Sequence, residues 1–170
     1  MGRWKPPPPV SSKYITPEGK QRLDDELEFL WRKKRPEVTK ALSAAAAEGD
    51  RSENAEYIYR KKQLREIDSR VRFLRKRLEN IKVVDSVPDD PLRVFFGAWV
   101  TVEDDAGAEV LYRIVGPDET AFQKEFISMD SPIGRALMGK ALDAEVEVET
   151  PQGNKRLYIV DIEYGVRKSQ

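Results

Sequence analysis

Apolar positions between Thr16 and Lys82 recur at steps of three and four residues, the spacing of one face of an α-helix. Thr16 followed by Pro17 predicts the start of a first helix, because proline is favoured at the first helical position. This helix is expected to run to about Glu48. A second helix is predicted from near Arg51 to Lys82, and its apolar seam keeps a heptad repeat throughout: Leu64, Ile67, Val71, Leu74, Leu78 and Ile81.

The very short turn around Gly49 predicts that the two helices fold back on each other as an antiparallel coiled-coil hairpin. Each arm has about 30 residues, so it extends about 45 Å at the helical rise per residue. Small residues at the turn end of the first arm let the helices approach closely: Ala41, Ala44, Ala45, Ala46 and Ala47. Pro36 removes the backbone hydrogen bond to Arg32, so we expect a local kink there.

The second half of the chain has a different pattern. Val83–Arg93 is acidic, contains two prolines and lacks helical periodicity, which is typical of a linker. Short strand-like runs follow, including Val94–Glu103 and Ala144–Glu149, and Ser131-Pro132 predicts a short helix. We therefore predict an α+β protein with a flexible Pro-rich tail at 1–13, a coiled-coil hairpin at 14–82, a linker at 83–93 and a small α+β domain at 94–167.

Histidine and cysteine are absent from the sequence. Their absence excludes disulfides, thiolate zinc sites, cysteine nucleophiles and Ser-His-Asp triads, which leaves carboxylates, Lys, Tyr or a borrowed metal for any chemistry. No apolar run approaches the ~20 residues needed to cross a bilayer. A proline run also stands where the apolar part of a secretory signal would lie. We expect a cytoplasmic protein with no membrane partner.

The net charge of zero hides an asymmetry between the two halves. Met1–Lys82 carries 21 Lys and Arg against 13 Asp and Glu, a balance of +8, and the remainder carries 9 against 17, a balance of −8. This division favours two modules with different partners, the basic one facing a polyanion. A basic but merely solvated helical surface is the alternative.

Two acidic residues in the hairpin turn, Asp50 and Glu53, allow two interpretations. The spacing Asp50-x-x-Glu53 resembles a capping box at a helix start. The same carboxylates at the end of a long probe would make half a Mg²⁺ site, because Mg²⁺ prefers oxygen ligands and is usually held by one or two carboxylates. Such a half-site suits two-metal phosphodiester chemistry once a partner completes it.

Six stretches make the chain resemble the bacterial Gre transcript-cleavage (transcription elongation) factor family, and within it the GreB branch. They are RPEVTKAL (35–42), GDRSENAEY (49–57), KKQLREIDSRVRFL (61–74), VFFGAWV (94–100), YRIVGPDE (112–119) and ISMDSPIGRALMGK (127–140). The resemblance extends from about Tyr14 to Val166 in the same order, and RSEN rather than LKEN points to the GreB branch.

The resemblance implies a mechanism. The hairpin enters the secondary channel of RNA polymerase, and Asp50 and Glu53 help hold a Mg²⁺ shared with the polymerase, which then cleaves its own backtracked RNA. In the family a basic patch near the tip guides the 3′ end of the extruded RNA, here Arg60, Lys61, Lys62 and Arg65. The C-terminal domain resembles FK506-binding proteins and docks on the polymerase through Asp130, Ser131, Pro132 and Ile133. No Mg²⁺ bound stably by the protein alone and no sequence-specific DNA binding are expected.

Three alternatives remain open at this point. The first is a non-catalytic Gre-like channel binder that modulates the polymerase without promoting cleavage. The second is a prolyl isomerase or chaperone with a helical arm, although fold alone does not imply that activity. The third is a stand-alone Mg²⁺ nuclease, which needs more ligands than one tip supplies.

Overall fold

The computed structural model describes residues 10–165 and residue 167. Residues 1–9, most of the predicted Pro-rich tail, lie outside that range. The chain forms two compact units: Glu18–Ile81, and the residues up to Pro17 together with those from Lys82 onward. The domain boundaries predicted from the sequence, at 1–13, 14–82, 83–93 and 94–167, stay predictions. Among the described residues, no helix is long and apolar enough to cross a membrane.

The first unit is the helical hairpin. Its elements are α1 (Pro17–Phe29), a π-helical segment (Leu30–Lys34), α2 (Arg35–Ala46) and α3 (Ala55–Asn80). The arms are antiparallel, since the residue pairs that join them run in opposite order along the two arms: Glu26 with Arg70, Arg35 with Asp68 and Ala45 with Asn54. The predicted hairpin is therefore confirmed.

The π-helical segment lies immediately before Pro36. The backbone N–H of Arg35 donates to the carbonyl oxygen of Leu30, five residues earlier, instead of four. Proline has no N–H, and its ring crowds the carbonyl four residues back, so a wider turn accommodates it. The kink expected at Pro36 stays a prediction, and what the structure has there is this change of hydrogen-bond register.

The core of the hairpin contains the predicted seam. Val38 of α2 packs with Ile67 and Val71 of α3, and all three are buried. Leu74 is also buried, while the remaining seam positions are half-buried: Leu64, Leu78 and Ile81. Burying each aliphatic side chain stabilises the fold by about 1.5–3 kcal/mol, so this seam is the main force that pairs the arms.

The second unit is built on a five-stranded sheet. Its elements are β1 (Tyr14–Ile15), β2 (Lys82–Val83), β3 (Trp99–Asp104), β4 (Glu109–Val115), β5 (Phe126–Ser128), α4 (Pro132–Leu137), β6 (Glu145–Thr150) and β7 (Gly153–Glu163). The strand order is β5-β4-β3-β7-β6, with β4–β5 parallel and the other pairs antiparallel. Alternate positions of the strands form the core with Leu137 of α4: Val100, Val102, Ile114, Val146, Val148, Leu157 and Ile159.

The α+β fold class is confirmed, with differences in the bounds of the strands. The run predicted as a strand from Val94 forms strand β3 only from Trp99, because residues 95–98 form a turn in which Gly97 has a φ of +86°. Val94 itself hydrogen-bonds with Gly139 and Lys140. β5 has three residues, too few to show an alternating pattern, and was missed. The predicted helix at Ser131-Pro132 is confirmed as α4.

The residues that precede α1 belong to the sheet unit. β1 pairs in parallel with β2, with Tyr14 opposite Lys82 and Ile15 opposite Val83. Thr16 donates from its backbone N–H, over 3.2 Å, and from its hydroxyl to the fully buried carboxylate of Glu119. The start of the described chain is therefore fixed to this unit by backbone and side-chain contacts.

Candidate functional site at the hairpin tip

The tip is the turn at 47–54 that connects α2 to α3. Gly49 has a φ of +132°, a conformation that side chains with a Cβ rarely adopt. The next residue, Asp50, accepts hydrogen bonds at Oδ1 from the backbone N–H of Ser52 (2.9 Å) and from its hydroxyl (2.8 Å). Asp50 thus closes a local Asx turn within the tip.

The capping-box interpretation of Asp50 and Glu53 is wrong. The N-cap of α3 is Asn54, whose Oδ1 accepts from the backbone N–H of Tyr57 over 3.0 Å. The Nδ2 of Asn54 also donates to the carbonyl oxygen of Ala45 over 2.8 Å, which links the tip to the other arm. Because Asn54 performs the capping, neither acidic side chain is needed for it.

The carboxylates of Asp50 and Glu53 both face solvent. The hydrogen bonds from the backbone and then the hydroxyl of Ser52 hold the pKa of Asp50 below its ordinary value, because they favour the ionised form. Glu53 has no hydrogen bond or salt bridge within the described part of the chain. One carboxylate is therefore positioned and the other is free to turn toward a ligand.

The tip carries three carboxylates, on Glu48, Asp50 and Glu53, of which the sequence singled out the last two. Within residues 10–165 and 167 there is no group of three or more His, Cys, Asp or Glu side chains arranged to hold a metal ion. Two oxygen-donor side chains fit Mg²⁺, which usually keeps several waters and takes one or two carboxylates.

The four residues of the predicted basic patch differ in how far they are already engaged. Arg60 donates to Glu56 over 2.7 Å and to Gln63 over 3.1 Å, and its guanidinium lies 5.4 Å from the ring of Tyr59. The patch therefore contains one cation that is largely committed to α3 itself.

The other three cations are more available. Lys61 is exposed, with its ammonium 5.9 Å from the ring of Tyr57. Lys62 approaches Glu66 at only 4.0 Å, in an exposed pair of little strength. Arg65 is exposed and has no partner among the described residues. Phosphate binding would thus fall mainly on Lys61, Lys62 and Arg65.

A second group of basic residues, Arg35 on the first arm and Arg75 on the second, surrounds the ring of Trp31. Arg35 donates to Asp68 over 2.7 Å and its guanidinium lies 5.2 Å from the ring of Trp31. Arg75 lies over the same ring at 4.4 Å. These contacts join the two arms, so the two arginines stabilise the hairpin.

The predicted docking residues, Asp130–Ile133, lie at the start of α4 in the sheet unit. Ser131 is the N-cap and accepts from the N–H of Gly134, and its hydroxyl donates to the carbonyl oxygen of Ser128 over 2.6 Å. Ile133 packs partly buried against the core. Pro132 alone of the four is exposed, and Asp130 accepts hydrogen bonds from Ser12.

Two contributors to these sites were missed from the sequence. Asn54 was not identified as the cap, although asparagine is a favoured N-cap residue and stands directly before Ala55. Ser12 was assigned to the tail, and nothing in the sequence pairs it with Asp130, 118 residues away.

Comparison with known proteins covers both units. The family models for the N-terminal part of transcription elongation factors and for the GreA/GreB C-terminal part match residues 13–83 and 89–164, respectively. The chain therefore belongs to the GreA/GreB family of transcription elongation factors.

The relatives that the chain matches are named GreB, which agrees with the GreB branch expected from the sequence. The chain is 63% identical over 164 residues to transcription elongation factor GreB of Pseudomonas aeruginosa, covering 96% of this chain and 98% of the relative. It is 57% identical over 165 residues to GreB of Xanthomonas axonopodis pv. citri, with 96% and 98% covered.

Proposed function

We propose that this chain is an accessory factor of bacterial RNA polymerase that acts in the cytoplasm. Its hairpin enters the secondary channel, and its tip stimulates the polymerase to cleave backtracked RNA and so rescues arrested complexes. The observation that carries the proposal is the pair of exposed carboxylates, Asp50 and Glu53, on a turn whose helix cap is supplied by another residue. Membership of the elongation factor family supports it.

The reaction is the hydrolysis of one phosphodiester bond. The oxygen of a water molecule bonds to phosphorus, the bond from phosphorus to the RNA 3′ oxygen breaks, and that oxygen takes up a proton. A Mg²⁺ shared with the polymerase would supply charge stabilisation and activation of the water. Asp50, oriented by its hydrogen bonds from Ser52, would bind the ion in a fixed position, and Glu53 would complete its coordination or orient the water.

The basic residues beside the tip would hold the extruded RNA. Lys61, Lys62 and Arg65 lie within about three helical turns of the start of α3, about 16 Å along the axis. Contacts of this kind are made to phosphates, so they are independent of sequence and sensitive to salt. The strongly acidic C-terminal half suits docking on a protein surface instead of nucleic acid.

The test is transcript cleavage in a stalled, backtracked elongation complex. We compare the wild type with Asp50→Asn/Glu53→Gln, which removes two charges and keeps the shape of both side chains. Asp25→Asn/Glu28→Gln removes two charges from exposed positions on α1 and serves as the matched control. We expect the tip variant to bind polymerase normally and to lose cleavage by at least about 100-fold, the scale of losing one stabilising group from a preorganised site.

Other results would contradict the proposal. Equal cleavage by the tip variant would remove the carboxylates from the chemistry. Polymerase binding without any stimulation by the wild type would make the chain a non-cleaving channel binder. RNA cleavage by the purified chain without polymerase would make it a nuclease.

A further inference from the structure

Ser12 and Asp130 make a two-point contact within the sheet unit. The backbone N–H of Ser12 donates to Oδ2 of Asp130 over 2.8 Å, and the hydroxyl of Ser12 donates to Oδ1. Both residues are half-buried. Each carboxylate oxygen therefore accepts one hydrogen bond from the same residue.

The segment that follows Ser12 is held along its length. Lys13 accepts at its carbonyl oxygen from the N–H of Lys82 over 2.7 Å, and Thr16 is held by Glu119. A Cβ at Gly116 would lie 2.0 Å from the carbonyl oxygen of Tyr14, so the strand rests directly on the glycine backbone. Ser12 thus lies just before a short strand, β1, whose own contacts lie elsewhere on the unit.

The backbone of the loop that carries Asp130 is held by hydrogen bonds that do not involve Ser12. The N–H of Asp130 donates to the hydroxyl of Ser128 over 3.0 Å, and the N–H of Met129 donates to the carbonyl oxygen of Val115 over 2.9 Å. Ser131 adds the cap of α4. The side chain of Asp130 is therefore not needed to shape its own loop. Its carboxylate instead holds the segment at Ser12, which precedes β1.

The four residues assigned to docking consequently have different tasks. Ser131 caps a helix, Ile133 packs on the core, and Asp130 uses about two of its four lone-pair sites on Ser12. Pro132 is exposed two residues after Asp130, and Ser11 and Lys13 are the exposed chain neighbours of Ser12. A protein partner that reaches this loop would meet Pro132 together with the N-terminal strand.

We propose that Asp130 is a positioning residue, and that the polymerase-docking surface is a composite of Pro132 and residues 11–13 held in place by the Ser12–Asp130 contact. The inference rests on the proposed function, since it names the parts of that docking surface. Ser12 is the residue on which this arrangement depends, because its N–H and its hydroxyl are the two donors to the Asp130 carboxylate. Lys13 adds a cation to a unit whose C-terminal part, residues 83–170, is acidic in sequence.

The test is a double-mutant cycle on the affinity of the full-length chain for core RNA polymerase. The variants are Ser12→Ala, Asp130→Asn and the two combined. We expect each single variant to weaken binding by about threefold to tenfold, as for one hydrogen bond to a charged group, and the double variant to be no weaker than the worse single one. Cleavage at saturating factor should be unchanged, since the tip is intact.

Two further variants separate positioning from a general structural effect. Ser12→Thr keeps the hydroxyl, so unlike Ser12→Ala it should bind polymerase with an affinity within about twofold of the wild type. Ser86→Ala, at an exposed serine outside the proposed surface, should leave affinity unchanged. In the free protein, the amide of Ser12 should exchange slowly in the wild type and at least about tenfold faster in Asp130→Ala, with the amides of β3 and β7 unaffected.

Additive losses in the cycle, or wild-type affinity of Ser12→Ala, would overturn the inference and make Asp130 a direct contact of the polymerase. An unprotected Ser12 amide in the wild type would overturn it as well. These outcomes leave cleavage by the wild type intact, so they are distinct from failure of the proposed function, in which the wild type itself would neither bind nor stimulate polymerase.

Discussion

Asn54 joins the two arms of the hairpin directly beneath the tip, because its Nδ2 donates to the carbonyl oxygen of Ala45 over 2.8 Å. The same side chain caps α3 through its Oδ1. One amide therefore fixes both the start of the second helix and its attachment to the end of the first. The position of the two tip carboxylates depends on this link.

The first prediction separates the two bonds of Asn54. Asn54→Asp keeps an acceptor for the N–H of Tyr57 and removes the donor to Ala45, so it should destabilise the hairpin by about 0.5–1.5 kcal/mol. Asn54→Ala removes both bonds and should cost about 1–3 kcal/mol. Thermal unfolding and the exchange rate of the Tyr57 amide measure these effects. Faster Tyr57 exchange in Asn54→Asp than in Asn54→Ala would contradict the assignment.

The second prediction concerns the ionisation of Asp50. Ser52→Ala removes the hydroxyl donor and keeps the backbone donor, so the pKa of Asp50 should rise part of the way toward its ordinary value. Carbon-detected NMR titration of the Asp50 carboxyl measures it, with Ser43→Ala on α2 as the control. An identical midpoint in wild type and Ser52→Ala would show that the hydroxyl does not act on the carboxylate.

The sign of the linked stability follows from the same shift. A carboxylate whose pKa is lowered by folding stabilises its turn at pH values above the ordinary pKa. That contribution is lost as the pH falls through the depressed pKa of Asp50. Acidification below pH ~4 should therefore loosen the Asp50–Ser52 turn, while neutral and alkaline pH should leave it unchanged.

The third prediction distinguishes the free cations of α3 from the engaged one. Arg65→Ala should lower the slope of log affinity for single-stranded RNA against log salt by about 0.7, as expected for one lost phosphate contact, with unfolding unchanged. Arg60→Ala should destabilise the first turns of α3 and change the slope less, since Arg60 is held by Glu56 and Gln63. The reverse ranking of the two variants would move the RNA contact to Arg60.

The fourth prediction tests the buried carboxylate of Glu119. It accepts from the N–H and hydroxyl of Thr16 and from the N–H of Gly116, and it is fully buried. Glu119→Gln places an amide NH₂ among these donors, so it should destabilise the sheet unit by about 2–3 kcal/mol. Chemical denaturation measures this, with the exposed Glu109→Gln as control. A loss no larger than that of the control would show that the three donors do not depend on the carboxylate.

The elements marked by a periodic or local sequence pattern could be predicted from the sequence. The heptad seam through Ile67, Val71 and Leu74 identified the hairpin because burial of one helical face demands that spacing. Ser131-Pro132 identified α4 for an equally local reason, the cap and the fixed φ of proline.

The parts that depend on contacts distant in sequence could not be predicted. β1 and β5 are too short to show a period, and Ser12 and Glu119 are set by chain segments more than 100 residues away. At the tip, Asp50 and Asn54 are both suitable caps, and the sequence alone favoured the wrong one. The turn is longer than the capping box assumed, so α3 starts at Ala55.

The most direct test of the central claim is the Mg²⁺ dependence of transcript cleavage in a backtracked elongation complex. Cleavage rates are measured across a Mg²⁺ titration without factor, with wild type and with Asp50→Asn/Glu53→Gln at saturating concentration. If the tip carboxylates bind the shared ion, the wild type lowers the Mg²⁺ concentration for half-maximal cleavage and the variant returns it to the value without factor. The same half-maximal concentration with wild type and variant would contradict the account.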